Sequence, residues 1–378
     1  MNPILCRVYI QYKDVLRKRA INQLKGDGAM EQPNELLFYV GTYNSKEEEA
    51  IMLAALNKDT GEMRVLQGTG GIEGPSYLAV NRQGNVLYAV SEQDEGEVHA
   101  FAIDASTKEL SPLGSRRTEG GAPCYVSVSP QEDYIYVANY TGANVNVFPV
   151  NEDGSLQEMS AQVRHEGSGI RADRQEAPHP HSVIPDSTGE RILVCDLGLD
   201  QVVIYRVQDG KLVTHRETAL PPGSGPRHLA VHPSGQWIYL INELNSSITV
   251  FANDEQKGDL RILQNVSSLP DNYTAGSDDT AADIHVTPCG RYLYVSNRGH
   301  DSIGLFHIDA ATGRIEPADW VNSGGRTPRN FAIIGGMLLA ANQNSSNIVS
   351  FRIDSETGRL IPTGNELAVP APVCLKAI

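Results

Sequence analysis

A short turn motif that recurs along almost the whole chain constrains the fold more than any other feature. Each copy is rich in Asp or Asn, most copies contain Gly, and each ends on an apolar residue, which is typical of a turn joining two antiparallel strands. The seven copies are NKDTGEM (57–63), DASTKEL (104–110), NEDGSL (151–156), QDGKL (208–212), NDEQKGDL (253–260), DAATGRI (309–315) and DSETGRL (354–360). Strand-like apolar runs precede these turns, so the sequence predicts a repeated β-hairpin.

A second motif marks where each repeat begins. It reads Pro-x-x-apolar-x-apolar in five copies and is degenerate in two, and its starts are spaced 44 to 57 residues apart. The starts are Pro75, Pro123, Pro180, Pro226, Ala281, Pro328 and Pro372. A period of this length built from four short strands indicates an all-β fold, a seven-bladed β-propeller of four-stranded antiparallel blades. Two β-sandwiches are the alternative, but they would not explain one repeat running through the whole chain.

The two ends of the repeat predict how the ring closes. The last repeat start, Pro372–Ile378, has no strands after it, and the first strand, Leu36–Gly41, has no repeat start before it. We therefore expect the C-terminal strand and the N-terminal strands to share one blade. Sharing removes two open sheet edges, which would otherwise be prone to aggregation.

Residues 1–33 stand outside the repeat. They carry a basic cluster at Arg17–Arg19 but no apolar segment followed by a small-residue cleavage site, so a secretory signal is not indicated. We interpret residues 1–33 as a poorly structured leader or extension, and residues 34–378 as a single propeller domain. A short amphipathic helix or an ill-ordered arm are alternatives. Our preferred hypothesis is that the natural chain starts at Met30 and that residues 1–29 are translated leader or added sequence.

Charge and cysteine usage narrow the possible partners. The net charge of −15 argues against a nucleic-acid-binding surface and against binding to an anionic membrane. The five cysteines are widely spaced without a CxxC pair, which favours a reducing compartment and gives no zinc signature. No apolar run approaches the ~18 residues of a membrane-spanning helix. We expect a cytoplasmic protein that acts on a small molecule without a cofactor, as a monomer or weak homodimer.

Propeller geometry predicts where polar side chains from different repeats converge. The first strand of each blade lines the central channel, so residues directly after the repeat-start Pro should meet residues at the ends of the second strands. His181, Arg227 and Arg329 hold positions of the first kind, and Glu243 and Arg298 hold positions of the second kind. Other residues that we align with Glu243 are Glu92, Asn139, Asp196 and Asn342. Channel residues can be polar simply because the channel is wet, but a purely structural repeat needs only apolar side chains there.

Seven segments resemble the lactonase family of seven-bladed propellers, in particular the bacterial propeller-type 6-phosphogluconolactonases, in register over roughly residues 36–378. These segments are VGTY (40–43), APHPHSV (177–183), GPRHLAVHP (225–233), NELNSSI (242–248), AADIHVTP (281–288), SNR (296–298) and TPRNF (327–331). Together the segments are specific for the family, whereas each alone would be weak.

The resemblance implies an activity and a set of site residues. The implied reaction is hydrolysis of a phosphorylated sugar lactone, 6-phospho-D-glucono-1,5-lactone, to 6-phospho-D-gluconate in the pentose phosphate pathway, without a nicotinamide cofactor. The implied catalytic residues are His181, Glu243 and Arg298, with Arg227 as an anion contact. The same fold group includes a fungal carboxymuconate cyclase, which forms a lactone instead of opening one.

Independently of the resemblance, the residue types suit the opening of a lactone. The reaction needs an attacking water, an acceptor for its proton, and donors where the carbonyl oxygen becomes an oxyanion. Glu243 or His181 could accept the proton, and Arg298 could contact the oxyanion or a carboxylate. Arg227 and Arg329 could hold a phosphate group bidentately.

Four further residues are candidate substrate contacts, with structural alternatives for some of them. They are His228, Asp283, His285 and Asn139. Asp283 could instead orient a histidine or an arginine. His228, like His232, could be a rim or turn histidine.

Two loops and one histidine pair are further candidate parts of the functional site. The insert Gly167–Glu176 and the loop Asp271–Thr280 precede channel-lining strands, so they are either lids or surface decoration. His179 and His181 could face the same side of an extended segment, but no third ligand lies at a suitable spacing, so we predict no metal site.

The alternative functions are of two classes. One is another enzyme on the same site, either a different sugar lactonase or a carboxymuconate-type, lactone-forming cycloisomerase. The other is a non-catalytic propeller used as a binding platform. The number of arginines favours a phosphorylated substrate, because an uncharged one needs fewer cations.

Overall fold

The strands of this protein arise from short runs of β-branched and aromatic residues separated by turns rich in Gly, Asp and Asn. The computed structural model describes residues 34–378, and the interpretation of residues 1–33 lies outside the described residues. Residues 34–378 form seven four-stranded sheets, which are the blades of a propeller, and the predicted fold is confirmed. Within this range the one helical element is a 3₁₀ turn, Gln343–Ser345.

The blades follow one another along the chain, and the strands of each blade run in order from the channel outwards. Blade 1 contains β28 (Pro372–Ala377), β1 (Glu35–Thr42), β2 (Ile51–Asn57) and β3 (Met63–Thr69). Blade 2 contains β4 (Leu78–Val80), β5 (Val86–Ser91), β6 (Glu97–Ile103) and β7 (Leu110–Arg117). Blade 3 contains β8 (Pro123–Val128), β9 (Tyr134–Asn139), β10 (Asn144–Pro149) and β11 (Ala161–Arg164).

The remaining four blades have the same order. Blade 4 contains β12 (Pro180–Pro185), β13 (Arg191–Asp196), β14 (Gln201–Gln208) and β15 (Lys211–Ala219). Blade 5 contains β16 (Pro226–Val231), β17 (Trp237–Asn242), β18 (Ser247–Asp254) and β19 (Asp259–Ser267). Blade 6 contains β20 (Thr280–Val286), β21 (Tyr292–Arg298), β22 (Ser302–Ile308) and β23 (Ile315–Asn322). Blade 7 contains β24 (Pro328–Ile334), β25 (Met337–Asn342), β26 (Asn347–Ile353) and β27 (Leu360–Ala368).

The recurring turn motif joins the third and fourth strands of each blade. In four copies the first Asp or Asn side chain accepts the backbone N–H groups two and three residues further on; these residues are Asn57, Asp104, Asp309 and Asp354. Such a side chain replaces a backbone acceptor and fixes the turn locally. The motif therefore encodes the hairpin directly, which is why the sequence alone predicts it.

Buried apolar clusters hold the ring together. One cluster lies at each of the interfaces between neighbouring blades, including the interface between blade 7 and blade 1. The second strand of a blade is covered on both faces, and all residues of Trp237–Asn242 are buried. Each blade thus depends on both neighbours for its buried area, and the hydrophobic free energy is distributed around the ring.

The C-terminal strand closes the ring as predicted. Strand β28 pairs antiparallel with β1, with Phe38 opposite Ala377 and Gly41 opposite Cys374. A glycine is required at position 41, because a Cβ there would lie 2.3 Å from the carbonyl oxygen of Pro75. The first blade consequently contains strands from both ends of the described chain.

A bulge at the start of the inner strand directs side chains into the channel. In blades 3, 4, 5 and 7 the pairing of the first two strands skips the residue after the starting Pro; these residues are Cys124, His181, Arg227 and Arg329. A bulged residue is released from the ladder, and its side chain is re-aimed. The sequence position next to the Pro therefore becomes a channel position in several blades at once.

Among residues 34–378, no helix combines the length and apolar character that crossing a bilayer requires.

Candidate active site

The carboxylate of Glu243 is the centre of the candidate site. Glu243 follows β17 directly, and its side chain is only 4% exposed. Its Oε2 accepts a hydrogen bond of 2.9 Å from Nε of Arg227 and lies 3.0 Å from Nη2 of Arg298. Its Oε1 accepts a bond of 2.6 Å from Nη2 of Arg174. Three guanidinium groups from different parts of the chain therefore share one buried carboxylate.

The arginines decide the protonation state of Glu243. Burial raises the pKa of the Glu243 carboxyl, but the charges of Arg298, Arg227 and Arg174 outweigh it and hold the pKa well below its usual range. The group is thus ionised, and both of its oxygens are already occupied by donors. Such a carboxylate orients cations well but has little tendency to accept a further proton.

His181 is the second buried group of the site. Its Nε2 lies 3.9 Å from Oε2 of Glu243, and its Nδ1 lies 3.8 Å from Sγ of Cys124. Burial lowers the pKa of His181 well below its usual value, and the charge of Arg227 lowers it further. The imidazole is therefore neutral near pH 7 and keeps one nitrogen lone pair available as a proton acceptor.

Asp283 organises a second group of histidines next to the first. Its carboxylate accepts bonds of 2.9 Å from Nδ1 of His228, 2.9 Å from Nε2 of His285 and 2.5 Å from Nδ2 of Asn330. With Nδ1–H donated to Asp283, the other ring nitrogen of His228 is an acceptor, and Nη1 of Arg227 lies 3.1 Å from it. Burial, followed by the charge of Arg227, lowers the pKa of His228 to about 4. The structure thus supports the orienting role considered for Asp283.

Two arginines of the site have guanidinium N–H groups without a partner among residues 34–378, and the first of them is Arg298. Nη2 of Arg298 donates to the carbonyl oxygen of Ala281 at 3.0 Å, whereas its buried Nε has no partner among residues 34–378. Burial lowers the pKa of Arg298 to about 10, opposed by Glu243 and assisted by Arg227 and Arg329. Burial is the main cause of this lowering and the neighbouring guanidinium charges add to it, so an additional anion would stabilise the charged form of Arg298.

Arg329, the second of these arginines, lies over an aromatic ring. Its guanidinium carbon is 5.4 Å from the ring centroid of Tyr43, and the Tyr43 hydroxyl donates to the Glu92 carboxylate at 3.0 Å. Within residues 34–378 the Arg329 guanidinium makes no ion pair shorter than 4.0 Å. Its hydrogen-bond donors therefore remain available for an anionic group.

The structure brings most of the predicted residues together but not Asn139. The amide of Asn139 donates to the Asn144 carbonyl oxygen at 3.2 Å and to Oδ1 of Asn146 at 2.6 Å, both within its own blade. The alignment of Asn139 with Glu243 is wrong by one residue. Asn139 pairs with Asn144 in blade 3, and the equivalent pair in blade 5 is Asn242 with Ser247, so Asn139 corresponds to Asn242. A shift of one residue along a strand turns the side chain to the opposite face, so Asn139 is a packing residue of blade 3.

The same one-residue error affects two further positions. Asp196 and Asn342 occupy the last paired position of their second strands, as Asn139 does. The residue of blade 3 that corresponds to Glu243 is Tyr140. Its ring stacks on His179 with centroids 4.2 Å apart and meets the edge of His181 at 5.5 Å.

The histidines outside the Glu243 cluster take different places. The rim position considered for His228 is wrong, because this residue is 5% exposed inside the channel. His232 does lie in a turn, where Nδ1 is 2.8 Å from the Ser234 hydroxyl. Within residues 34–378, no group of three His, Cys, Asp or Glu side chains is placed to hold a metal ion.

Arg174 is a site residue that the sequence does not reveal. It lies in the insert Gly167–Glu176 between blades 3 and 4, where its Nη2 reaches Glu243 and, at 3.3 Å, the Tyr140 hydroxyl. The insert is a candidate lid on sequence grounds. It is present in one repeat only, so Arg174 cannot be aligned with a residue of another repeat. The sequence signal that could have identified Arg174 is a basic residue within an insert that leads into a channel-lining strand.

Comparisons with known proteins identify the family of this chain. The sequence model of the family described as Lactonase, 7-bladed beta-propeller matches residues 37–377. A 6-phosphogluconolactonase of Bacillus subtilis strain 168 is 36% identical over 341 residues, which cover 89% of this chain and 97% of the relative. A 6-phosphogluconolactonase of Formosa agariphila is 33% identical over 307 residues, covering 78% of this chain and 85% of the relative.

A solved structure gives the same result for the fold. The periplasmic gluconolactonase of Pseudomonas aeruginosa superposes with a TM-score of 0.86 at 30% identity, covering 91% of this chain and 99% of that chain. The family match includes strands of all seven blades and every candidate site residue from Tyr43 to Arg329. This protein therefore belongs to the lactonase family of seven-bladed β-propellers.

Proposed function

We propose that the protein hydrolyses 6-phospho-D-glucono-1,5-lactone to 6-phospho-D-gluconate. Membership of the lactonase family makes it a hydrolase of cyclic carboxylic esters, and the proposal concerns which ester it opens. The observation that carries the choice is the concentration of arginines at one channel mouth in a chain of net charge −15. Two relatives named 6-phosphogluconolactonase support the same substrate.

In the proposed reaction His181 is the proton acceptor. A water held near Nε2 of His181 attacks the lactone carbonyl carbon and gives one proton to that nitrogen. Glu243 is poorly suited to this step, because its pKa is depressed and its oxygens are bonded to arginines. Glu243 instead positions Arg227 and Arg298 through those bonds.

Arg298 stabilises the charge that develops on the carbonyl oxygen. Its Nε–H is buried and has no partner within residues 34–378, so a rotation of the side chain on substrate binding would let it donate to the oxyanion without breaking a hydrogen bond of its own. The tetrahedral intermediate then collapses, the bond from the carbonyl carbon to the ring oxygen breaks, and that oxygen takes the proton from His181. The product acid loses its own proton to solvent near pH 7.

Arg329 is proposed to hold the phosphate group. It is partly exposed, stacks on Tyr43, and lacks an ion pair within the described chain. Arg227 is less suited to that role, because its Nε is bonded to Glu243 and its Nη1 donates 2.6 Å to the Ala282 carbonyl oxygen. A planar guanidinium group can bind two phosphoryl oxygens at once.

An unphosphorylated sugar lactone is the second candidate substrate. The Pseudomonas relative named gluconolactonase favours it, since that protein has a similar identity over nearly the whole chain. The two candidates differ in what they require from Arg329, because only the phosphorylated lactone carries a dianionic group that needs a cationic partner.

The test is a coupled assay with purified protein, in which 6-phosphogluconate dehydrogenase reports the product. We expect hydrolysis of 6-phosphogluconolactone well above the spontaneous rate, and a kcat/KM at least about tenfold higher than for glucono-1,5-lactone, since one charged hydrogen bond contributes that much. Spontaneous rates with both lactones would remove the proposal. Faster hydrolysis of the unphosphorylated lactone would establish the second candidate.

We also propose a cytoplasmic location. The cysteines within the described residues, Cys124, Cys195, Cys289 and Cys374, are all free thiols, which fits a reducing compartment. Fractionation of the source cells with an antibody against the protein would check this placement, and recovery outside the cytoplasm would contradict it.

A further inference from the structure

We infer that Arg174 selects phosphorylated substrates by exchanging the Glu243 carboxylate for the phosphoryl group of the ligand. This inference rests on the proposed function and adds a residue that acts from outside the repeated blades. In the structure Arg174 is bonded to Glu243 and to the Tyr140 hydroxyl, at 2.6 Å and 3.3 Å. Substrate binding moves its guanidinium from one anion to another.

The unequal sharing of Glu243 makes this exchange feasible. Arg227 and Arg298 both contact Oε2, whereas Arg174 alone contacts Oε1 among residues 34–378. Departure of Arg174 therefore leaves the carboxylate with two guanidinium partners and still ionised. The freed Oε1 can then accept a hydrogen bond from a sugar hydroxyl group, so that the buried oxygen is not left without a donor.

Exposure distinguishes Arg174 from the other two arginines. Its side chain is 34% exposed, compared with 2% for Arg227 and 13% for Arg298. A buried guanidinium loses its packing when it moves, whereas a partly exposed one at the mouth of the site can rotate towards solvent and towards a ligand. Arg174 is thus the member of the Glu243 cluster that an incoming phosphate can reach.

The loop that carries Arg174 has fixed ends. One carboxylate, Asp196, holds both: Oδ2 accepts a bond of 2.6 Å from Nδ1 of His165 before the loop, and Oδ1 accepts the backbone N–H of His179 after it, at 2.8 Å. Inside the loop, Nε2 of Gln175 donates to the Leu197 carbonyl oxygen at 2.9 Å. The backbone is consequently anchored beside the channel, and the side chain of Arg174 supplies the movement.

The charges around the mouth of the channel favour the binding of an anionic ligand. Four guanidinium groups lie there, from Arg174, Arg227, Arg298 and Arg329, against the carboxylates of Glu92, Glu243 and Asp283. The histidines His181 and His228 are neutral and add no charge, so the guanidinium groups supply the positive charge of this cluster. A phosphate dianion offers Arg174 two oxygens in the geometry that a planar guanidinium binds best.

The experiment compares Arg174→Gln with Arg171→Gln, using intact protein and both lactones. Arg171 is a matched control from the same loop, since its guanidinium pairs with Asp173 at 2.8 Å and touches the site only through a 3.4 Å contact to the Leu244 carbonyl oxygen. For Arg174→Gln we expect kcat/KM on 6-phosphogluconolactone to fall about 10- to 100-fold, mainly through KM. Its kcat/KM on glucono-1,5-lactone should fall at least about fivefold less than its kcat/KM on the phosphorylated lactone. Arg171→Gln should change neither value by more than about twofold.

Inhibition by inorganic phosphate provides a second readout that does not depend on turnover of a phosphorylated lactone. With glucono-1,5-lactone as substrate, phosphate should inhibit the wild type competitively and Arg174→Gln about tenfold more weakly, since one charged contact is lost. Arg174→Lys, which keeps the charge but not the planar fork, should be intermediate. Thermal unfolding of each variant confirms that it is folded.

The outcomes separate this inference from the proposed function. An inactive wild type on 6-phosphogluconolactone would remove the proposed function and the inference with it. An active wild type whose Arg174→Gln variant keeps its kcat/KM would overturn the inference alone. Equal losses on both lactones would also overturn it, because they would assign Arg174 to the common chemistry and not to the phosphate.

Discussion

At the scale of single residues, the chemistry depends on how one buried carboxylate is shared. Glu243 and His181 are both plausible proton acceptors when only their residue types are known. The contacts of Glu243 with Arg298, Arg227 and Arg174 separate them, because these contacts lower the pKa of the carboxylate while burial keeps the imidazole neutral. For this reason the sequence left the role of each residue open, although it placed His181, Glu243 and Arg298 at converging positions.

Replacing Glu243 with Gln should lower both stability and activity. The neutral amide leaves Arg227 and Arg298 buried without their anion, and breaking a buried ion pair in this way costs about 3–5 kcal/mol. Denaturant unfolding measures the loss, with Glu366→Gln on the exposed outer strand of blade 7 as the matched control. Wild-type stability of Glu243→Gln would contradict a carboxylate shared by buried guanidinium groups.

The acid limb of the pH profile should report His181. A proton acceptor works only when unprotonated, and the pKa of His181 is lowered by burial and by Arg227. The kcat/KM of the wild type should therefore persist below pH 6.5, the usual histidine value, and fall only at lower pH. The measurement is initial rates across pH after subtraction of spontaneous hydrolysis.

The matching substitution is His181→Gln. Loss of the acceptor should reduce kcat by about 100- to 10,000-fold and remove the acid limb from the profile. A limb that persists in this variant, or a wild-type limb at or above pH 6.5, would assign the proton transfer to another group.

At the scale of elements, the bulge after each starting Pro explains which site residues were predictable. His181, Arg227 and Arg329 were found by counting one residue from that Pro, and the bulge places each of them in the channel. Counting failed at the ends of the second strands, where a slip of one residue selected Asn139 and hid Tyr140. The apolar pattern there has no feature that fixes register, whereas the Pro does.

The anchor of the Arg174 loop gives a prediction of its own. Asp196→Asn removes the charge that holds His165 and weakens the acceptor for the His179 N–H, so the loop should open more often. Trypsin should then cleave after Arg171 or Arg174 several times faster than in the wild type. Asp173→Asn, an exposed change in the same loop, is the control; equal cleavage of all three proteins would contradict the anchoring role.

At the scale of the whole molecule, the site exists because the ring is closed. His181 belongs to blade 4, Glu243 to blade 5 and Arg298 to blade 6, and the contact of Arg329 in blade 7 with Tyr43, which follows β1 of blade 1, spans the interface where the ring closes. The fold was predictable because one repeat specifies all seven blades, and the ends of that repeat specify the shared blade. The contribution of the loop between blades 3 and 4 was not predictable, because this loop occurs in one repeat only.

Truncation of the closing strand should test this dependence. Removing residues 370–378 deletes β28, whose Val373, Cys374 and Leu375 are buried, and exposes the inner edge of β1. We expect loss of cooperative thermal unfolding and of lactonase activity together. Removal of Ile378 alone, an exposed residue beyond β28, should leave both unchanged. An active, cooperatively unfolding 1–369 chain would show that closure is dispensable.

The most direct test of the central claim is a crystal structure of the wild-type protein with the product, 6-phospho-D-gluconate. We predict that the phosphate lies within hydrogen-bonding distance of Arg329 and Arg174, with Arg174 released from Glu243. We also predict that the new carboxylate lies beside Nε of Arg298 and Nε2 of His181. A product bound with its phosphate away from both Arg329 and Arg174, or outside this channel mouth altogether, would contradict the claim.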